Sequence, residues 1–110
     1  MPQRRRVVSK SKIKVDGQKA VLSLKQDLIA SSVNDIRTLI KDAINGEVKD
    51  FTIDINGINT IDSMGIGLLI SVQNSLAKTG GELAVINISA DILDLFKSMR
   101  LDQHFSVKGE

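Results

Sequence analysis

With 110 residues, 42% of them apolar, the chain is long enough for one domain with one hydrophobic core and too short for two. It contains no cysteine, which excludes disulfides, thiolate nucleophiles and zinc–thiolate sites. No apolar run approaches the ~20 residues of a membrane span, and no apolar segment follows the basic N-terminus as in a secretory signal. These features predict a cytoplasmic protein without a membrane span.

The formal net charge of +2 is unevenly distributed. Six of the 15 basic residues lie in the first 14 positions, which hold no acid, whereas residues 15–110 carry a net charge of −4. We expect residues 1–11 to form a basic, flexible tail and residues 12–110 to form a single domain. The tail lacks aromatic residues that could stack on bases, so we expect no direct binding of nucleic acid.

The first elements predicted are the two strands of a hairpin. Ile13 and Val15 alternate with polar residues, as they would in a half-buried strand. Asp16-Gly17 is a turn signal, and a second alternating segment follows it, with apolar residues at Ala20, Leu22 and Leu24.

A helix follows, because apolar residues recur at a spacing of three or four: Val33, Ile36, Ile40, Ala43 and Ile44. Ser32 and Asp35 resemble a capping box at its start. Asn45-Gly46 supplies a stop at its end. The next strand is Phe51 to Ile55, closed by an Asn56-Gly57 turn.

The second half of the chain repeats the alternation of helix and strand. A helix is predicted from Met64 to Thr79, apolar nearly all round in its first turns and ended by Gly80-Gly81. Leu83 to Ile88 is predicted as a strand, with Val85 and Ile86 implying burial on both faces. Ser89 then caps a helix that ends before a short edge strand, Phe105 to Val107. The predicted inner face of that helix is Ile92, Leu95, Phe96 and Met99.

The resulting order, β-β-α-β-α-β-α-(β), predicts an α/β fold with a mixed, mostly parallel sheet and packed helices. Loops that follow parallel strands converge on one rim of such a sheet. The Asn56–Ser63 loop, which follows one strand and leads into a helix, is therefore expected on that rim.

Ser63 has two interpretations from the residues alone. It is either an ordinary N-cap, whose hydroxyl accepts a hydrogen bond from the first turn, or a phosphate acceptor at the positive end of the helix dipole. Phosphorylation would add about −1.5 to −2 charges beside Asp62. Gly65 and Gly67 lack side chains and are expected to let another surface approach the helix start.

The run Asp62-Ser63-Met64-Gly65-Ile66-Gly67-Leu68-Leu69 closely resembles the D-S-x-G-x-x-x-[LIV] signature of STAS domains. These domains are the anti-sigma-factor antagonists and related cytoplasmic modules of sulphate transporters. The resemblance covers about residues 12–108, because the order of elements also matches. The glycine-led strand Gly81 to Asn87 and the Leu93-x-Leu95-Phe96-x-x-x-x-Leu101 pattern match as well. The resemblance implies the STAS fold, a mixed sheet with helices packed around it.

In the antagonists, the serine directly after the aspartate is phosphorylated by a partner serine kinase that is also the anti-sigma factor. That serine corresponds to Ser63. The unphosphorylated antagonist binds the kinase and frees the sigma factor, and phosphate weakens the binding. The resemblance therefore implies a regulatory protein that is not an enzyme and needs no cofactor, because the partner supplies ATP and the catalytic groups.

The resemblance also implies a partner-binding surface around Ser63. In the antagonists, the loop after the second strand often reads G-x-L-D, and its acid faces the kinase. Here that loop reads Gln26-Asp27-Leu28-Ile29, with Gln26 in place of the glycine and Ile29 in place of the aspartate, so Asp27 is expected to substitute for that acid. The residues expected to contact the partner are Asp27, Asp62, Ser63, Met64, Gly65 and Gly67.

Several enzymatic or ligand sites are less well supported. Asp54 ends a central strand as in an aspartyl-phosphate receiver, but no acidic pair ends an earlier strand to hold Mg²⁺. Gly65-x-Gly67 lacks the third glycine and the lysine of nucleotide-binding loops. His104, the only histidine, is expected at the surface, and no metal site or catalytic residue is predicted.

Two alternatives remain open among binding proteins. The chain could be a STAS subunit of a signalling scaffold, which should self-associate, for example as a homodimer. It could also be an accessory subunit of a membrane transporter, with the basic tail reaching the anionic leaflet.

Overall fold

The computed structural model describes residues 11–44 and 47–110. The elements are β1 (Lys12–Asp16), β2 (Lys19–Ser23), α1 (Val33–Ala43), β3 (Asp50–Asp54), α2 (Ser63–Ala77), β4 (Glu82–Ile88), α3 (Ala90–Ser98), a 3₁₀ turn (Leu101–Gln103) and β5 (Ser106–Gly109). The predicted order is confirmed. Ten residues of the predicted basic tail, and the Asn45-Gly46 stop, lie outside the described residues.

The five strands form one sheet in the order β1-β2-β3-β4-β5. β1 pairs antiparallel with β2, and the remaining pairs are parallel, so the predicted mixed and mostly parallel sheet is confirmed. Gly17 has a φ of +63°, which glycine adopts without strain, and it closes the hairpin between Asp16 and Lys19. Because the strand order is consecutive, crossovers of one hand place all three helices on the same face.

Only one face of the sheet is covered by the described residues. Every second side chain of the central strands is buried beneath the helices: Ala20, Leu22, Phe51, Ile53, Leu83 and Val85. The intervening side chains are less buried, and Val21 is 42% exposed. Ile86 is only partly buried, so the prediction of a strand buried on both faces is wrong. An apolar residue on an uncovered face gives the same local pattern as one beneath a second layer of helices.

The core lies between this face and the helices. In the first two turns of α2, Gly65, Ile66, Leu68 and Leu69 are buried. Ser63, Met64 and Gly67 are exposed, so a segment that is apolar nearly all round is buried on one side only. Phe96 on α3 meets Phe105 edge to face, with ring centroids 6.3 Å apart, and this contact closes the core beside β5.

The inner face of α3 differs from the prediction. Ile92 and Phe96 are buried, whereas Leu95 is 36% and Met99 46% exposed. The helix ends at Ser98, and Arg100 adopts a left-handed conformation with φ +59°, which turns the chain away from the helix axis. Met99 is the C-cap residue beyond the last turn and does not belong to the inner face.

The start of α1 also differs from the prediction. Ser32 already has helical backbone angles and makes no side-chain cap. Its hydroxyl points back into the preceding loop, where it donates to the Asp27 carbonyl at 2.6 Å and accepts from the Ile29 N–H at 3.2 Å. The predicted capping box with Asp35 is therefore wrong, because the hydroxyl is used to hold the loop instead.

Candidate functional site

Two loops meet at the rim formed by the carboxyl ends of β2 and β3. Leu28, after β2, forms an isolated parallel bridge with Ile61, after β3. The Leu28 N–H donates to the Thr60 carbonyl at 3.1 Å, and the Leu28 carbonyl accepts from the Asp62 N–H at 3.2 Å. The structure thus brings the loop of Asp27 beside the start of α2, two segments that are far apart in sequence.

Asp62 is the N-cap of α2. Its Oδ1 accepts from the N–H groups of Met64 and Gly65, both at 3.0 Å, and its Oδ2 accepts from the Ala30 N–H at 2.9 Å. The hydrogen bond from Gly65 lowers the pKa of this carboxyl most; desolvation, the second-largest effect, raises it, and the bonds from Ala30 and Met64 lower it, so that the pKa lies below its ordinary value. The ionised Asp62 side chain therefore connects the two loops through its hydrogen bonds.

Ser63 is the first residue of α2 and not its N-cap, so the first of the two interpretations from the sequence is wrong. Its side chain is exposed, and in the described part of the chain its hydroxyl has no hydrogen-bond partner. The N–H groups of Met64 and Gly65, expected to favour a phosphate, already bind Asp62. Sequence alone could not choose between the two residues, because aspartate and serine are both good N-caps.

Asp27 also holds the two loops together. Its Oδ1 accepts from the N–H groups of Asn59, at 3.0 Å, and Thr60, at 3.2 Å. The side chain is half-buried. Its Oδ2 accepts no hydrogen bond from the described residues.

We expect Asp27→Ala to lower the free energy of unfolding by about 1 kcal/mol, because two backbone donors lose their acceptor. Asp27→Asn keeps an acceptor oxygen at the Oδ1 position and should remain within about 0.5 kcal/mol of the wild type. Urea denaturation of both variants measures the difference. Equal losses in the two variants would show that the charge, and not the acceptor, holds the loops.

The two glycines of the motif have different environments. A Cβ on Gly65 would lie 2.3 Å from the Leu28 carbonyl oxygen and 2.8 Å from the Leu28 Cγ, whereas a Cβ on Gly67 would meet nothing within 4 Å. Gly65 is buried, so the structure gives it an internal role and corrects the expectation that it faces a partner. Gly67 is exposed, as expected.

Met64 is 50% exposed and lies beside Ser63 at the start of α2. The outer surface of the rim therefore combines a free hydroxyl, a flexible apolar side chain and, one turn along α2, the bare backbone of Gly67. We call the surface of Asp27, Asp62, Ser63, Met64 and Gly67 the Ser63 rim. It can contact another protein, and it presents one hydroxyl for modification.

The other residues considered from the sequence have structural surroundings of their own. Asp54 Oδ1 accepts from the Asn87 side chain and from the Asn56 N–H, both at 3.0 Å. His104 is exposed, as predicted. Within residues 11–44 and 47–110, no three histidine, aspartate or glutamate side chains group into a metal site. No helix of that part of the chain is long and apolar enough to cross a membrane.

Solved structures share this fold. An anti-sigma-factor antagonist (STAS) domain protein from Planctomyces limnophilus has a TM-score of 0.80 at 19% identity, covering 91% of this chain and 90% of its own. Bacillus SpoIIAA in its phosphorylated form has a TM-score of 0.72 at 22% identity, covering 91% of each chain. The murine anion transporter Slc26a9 has a TM-score of 0.71 at 17% identity, covering 88% of this chain and 17% of the transporter.

A search of curated protein sequences gives no significant match. The family model of the STAS domain, in contrast, matches residues 10–109, nearly the whole chain. The match spans all five strands, the three helices and the Ser63 rim. The chain belongs to the STAS domain family.

Proposed function

We propose that this protein is an anti-sigma-factor antagonist, which binds a cognate anti-sigma serine kinase until phosphorylation of Ser63 releases it. The observation that carries the proposal is the exposed Ser63 hydroxyl, which is not used as a helix cap because Asp62 occupies that position. Two further findings support it: membership of the STAS family, and a shared fold with SpoIIAA, an anti-sigma-factor antagonist solved in unphosphorylated and phosphorylated forms.

In this proposal the chain is the substrate and ligand, and the kinase is the catalyst. The Ser63 oxygen attacks the γ-phosphorus of ATP held by the kinase, the bond to ADP breaks, and ADP leaves. Asp62 is a poor base for the serine proton, because three backbone N–H groups occupy its oxygens and its pKa is lowered. The proton therefore passes to a base on the kinase.

The phosphate acts by changing the charge of the Ser63 rim. It adds about −1.5 to −2 charges beside the ionised Asp62. The N–H groups of Met64 and Gly65 already bind Asp62, so they are not free to neutralise the phosphate. The added charge remains on the surface that faces the kinase, and it weakens the complex by repulsion without refolding the chain.

We expect Ser63→Ala to fold with a free energy of unfolding within about 0.5 kcal/mol of the wild type, because it removes an exposed hydroxyl and no cap. It should bind the kinase like the unphosphorylated protein and accept no phosphate. Ser63→Asp should bind at least about tenfold more weakly, through its negative charge, although it carries less charge than a phosphate.

The test is capture of the kinase from the source cell's lysate, followed by incubation of the purified pair with ATP and intact-mass analysis of the antagonist. Ser31→Ala removes another exposed serine, in the loop between β2 and α1, and is the matched control, which should still gain one phosphate. Ser63→Asp binding as tightly as the wild type would contradict the charge switch.

The same experiment separates the alternatives. A protein that stays unmodified and captures copies of itself would act as a scaffold subunit. One that co-purifies with a transporter would act as an accessory subunit.

A further inference from the structure

A groove of about 340 Å³ runs between α1 and α2, outside the Ser63 rim. Arg37 and Lys41 of α1 and the C-cap residue Ile44 line one side of it, and Leu68, Ser71 and Ser75 of α2 line the other. The floor is aliphatic, one edge is cationic and the opposite edge carries two hydroxyls. This combination suits a ligand that is both apolar and negatively charged.

The two cations of the groove are available to a partner. The Arg37 guanidinium donates to the Asn34 side chain at 2.7 Å, which holds it in place without neutralising it. In the described part of the chain, neither Arg37 nor Lys41 forms an ion pair, and no acidic side chain lines the groove. This positive charge stands out because residues 15–110 carry a net charge of −4.

The groove continues the Ser63 rim along α2. Met64, Leu68, Ser71 and Ser75 recur at intervals of three or four residues, so they lie on one side of the helix. The distance from Met64 to Ser75 is about 16 Å at 1.5 Å per residue, the length of three helical turns. Gly67 is the rim residue next to the groove along α2, and a Cβ placed on it would meet nothing within 4 Å, so a partner that spans both can approach the helix closely there.

We propose that the α1–α2 groove is a second part of the kinase interface and receives an acidic, amphipathic helical segment of the kinase. The proposal rests on the proposed function and adds the chemistry of the partner. Acidic side chains of the segment pair with Arg37 and Lys41, and its apolar side chains cover the half-buried Ile44. The rim is negatively charged and the groove is positively charged, so the two ends of the interface have opposite charge. This arrangement orients the kinase so that its bound ATP lies beside Ser63.

The experiment compares three full-length proteins in titrations against the purified kinase at low and high salt. They are the wild type, the groove variant Arg37→Glu/Lys41→Glu and the control Lys12→Glu/Lys14→Glu. The control changes the net charge equally on exposed residues of β1. We expect the groove variant to bind at least about tenfold more weakly and with less dependence on salt, and the control to stay within about twofold.

Circular dichroism checks that each variant is folded. If the charge reversal disturbs folding, Arg37→Gln/Lys41→Gln replaces it, with a weaker loss of affinity expected in the same direction. Equal affinity of wild type and groove variant would overturn the groove proposal and leave the Ser63 switch standing. A wild-type protein that binds no serine kinase would overturn both proposals.

Discussion

Gly65→Ala should lower the free energy of unfolding by about 3 kcal/mol. We expect no other added methyl group to destabilise this protein more. The new Cβ would lie 2.3 Å from the Leu28 carbonyl oxygen, a backbone atom that cannot rotate away as the end of a side chain could. Either α2 or the Leu28 loop must shift, and overpacking of this kind costs about 1–3 kcal/mol or more. The shift would also strain the bridge between Leu28 and Ile61, which holds the rim together.

Gly67→Ala is the matched control, since it makes the same change in the same helix two residues away. Its Cβ would meet nothing within 4 Å, and alanine favours a helix over glycine by about 1 kcal/mol. We therefore expect Gly67→Ala to raise the free energy of unfolding by up to about 1 kcal/mol. Thermal and urea unfolding measure both variants, and changes of the same sign in the two would contradict the packing of α2 against Leu28.

Asp62→Asn should destabilise the protein at neutral pH more than Ser63→Ala does, because three backbone N–H groups lose a charged acceptor. The amide still offers one acceptor oxygen, but its NH₂ group would face one of the N–H donors. Loss of the Ala30 contact would weaken the connection between the two loops, and loss of the Met64 and Gly65 contacts would fray the start of α2.

The effect of Asp62→Asn should depend on pH. The pKa of Asp62 in the folded protein lies below its ordinary value of 3.8, so the carboxylate stabilises the fold fully above pH 3.8. That contribution is lost as the pH falls below 3.8 and through the folded pKa. The stability difference between the wild type and Asp62→Asn should therefore be constant near neutral pH and shrink below pH 3.8.

Urea unfolding at a series of pH values measures this difference. Ser63→Ala is the control, because it removes no titrating group and its difference from the wild type should not change with pH. A gap between the wild type and Asp62→Asn that persists undiminished well below pH 3.8 would show that Asp62 acts through packing and not through its charge.

Most of the element order could be predicted because each element has a local pattern. α2 was predicted from Met64 to Thr79 and spans Ser63–Ala77, since its apolar positions and Gly80-Gly81 mark its course and its end. What the patterns did not reveal was which apolar residues would be covered. Ile86, Leu95 and Met99 fit their predicted elements, yet they remain partly or largely exposed because no described element packs over them.

The candidate site was predicted in its location but not in the roles of its residues. The sequence predicts that Ser63, Asp62 and Asp27 belong to one surface, and the structure brings the three residues to one rim. Three roles depend on the pairing of Leu28 with Ile61. Asp62 caps α2, the Ser32 hydroxyl binds the preceding loop, and Gly65 packs against Leu28. That pairing joins residues 33 positions apart, which no local pattern specifies.

The sequence by itself therefore determined the order of strands and helices, the turn glycines and the family motif, because each depends on residues close together in the chain. Only the tertiary structure decided that Asp62 caps α2 and leaves the Ser63 hydroxyl free, because that choice follows from where the Asp27 loop holds the helix start. It also decided that Arg37 and Lys41 of α1 share a groove with α2, since residues on separate helices become neighbours only when the sheet aligns those helices.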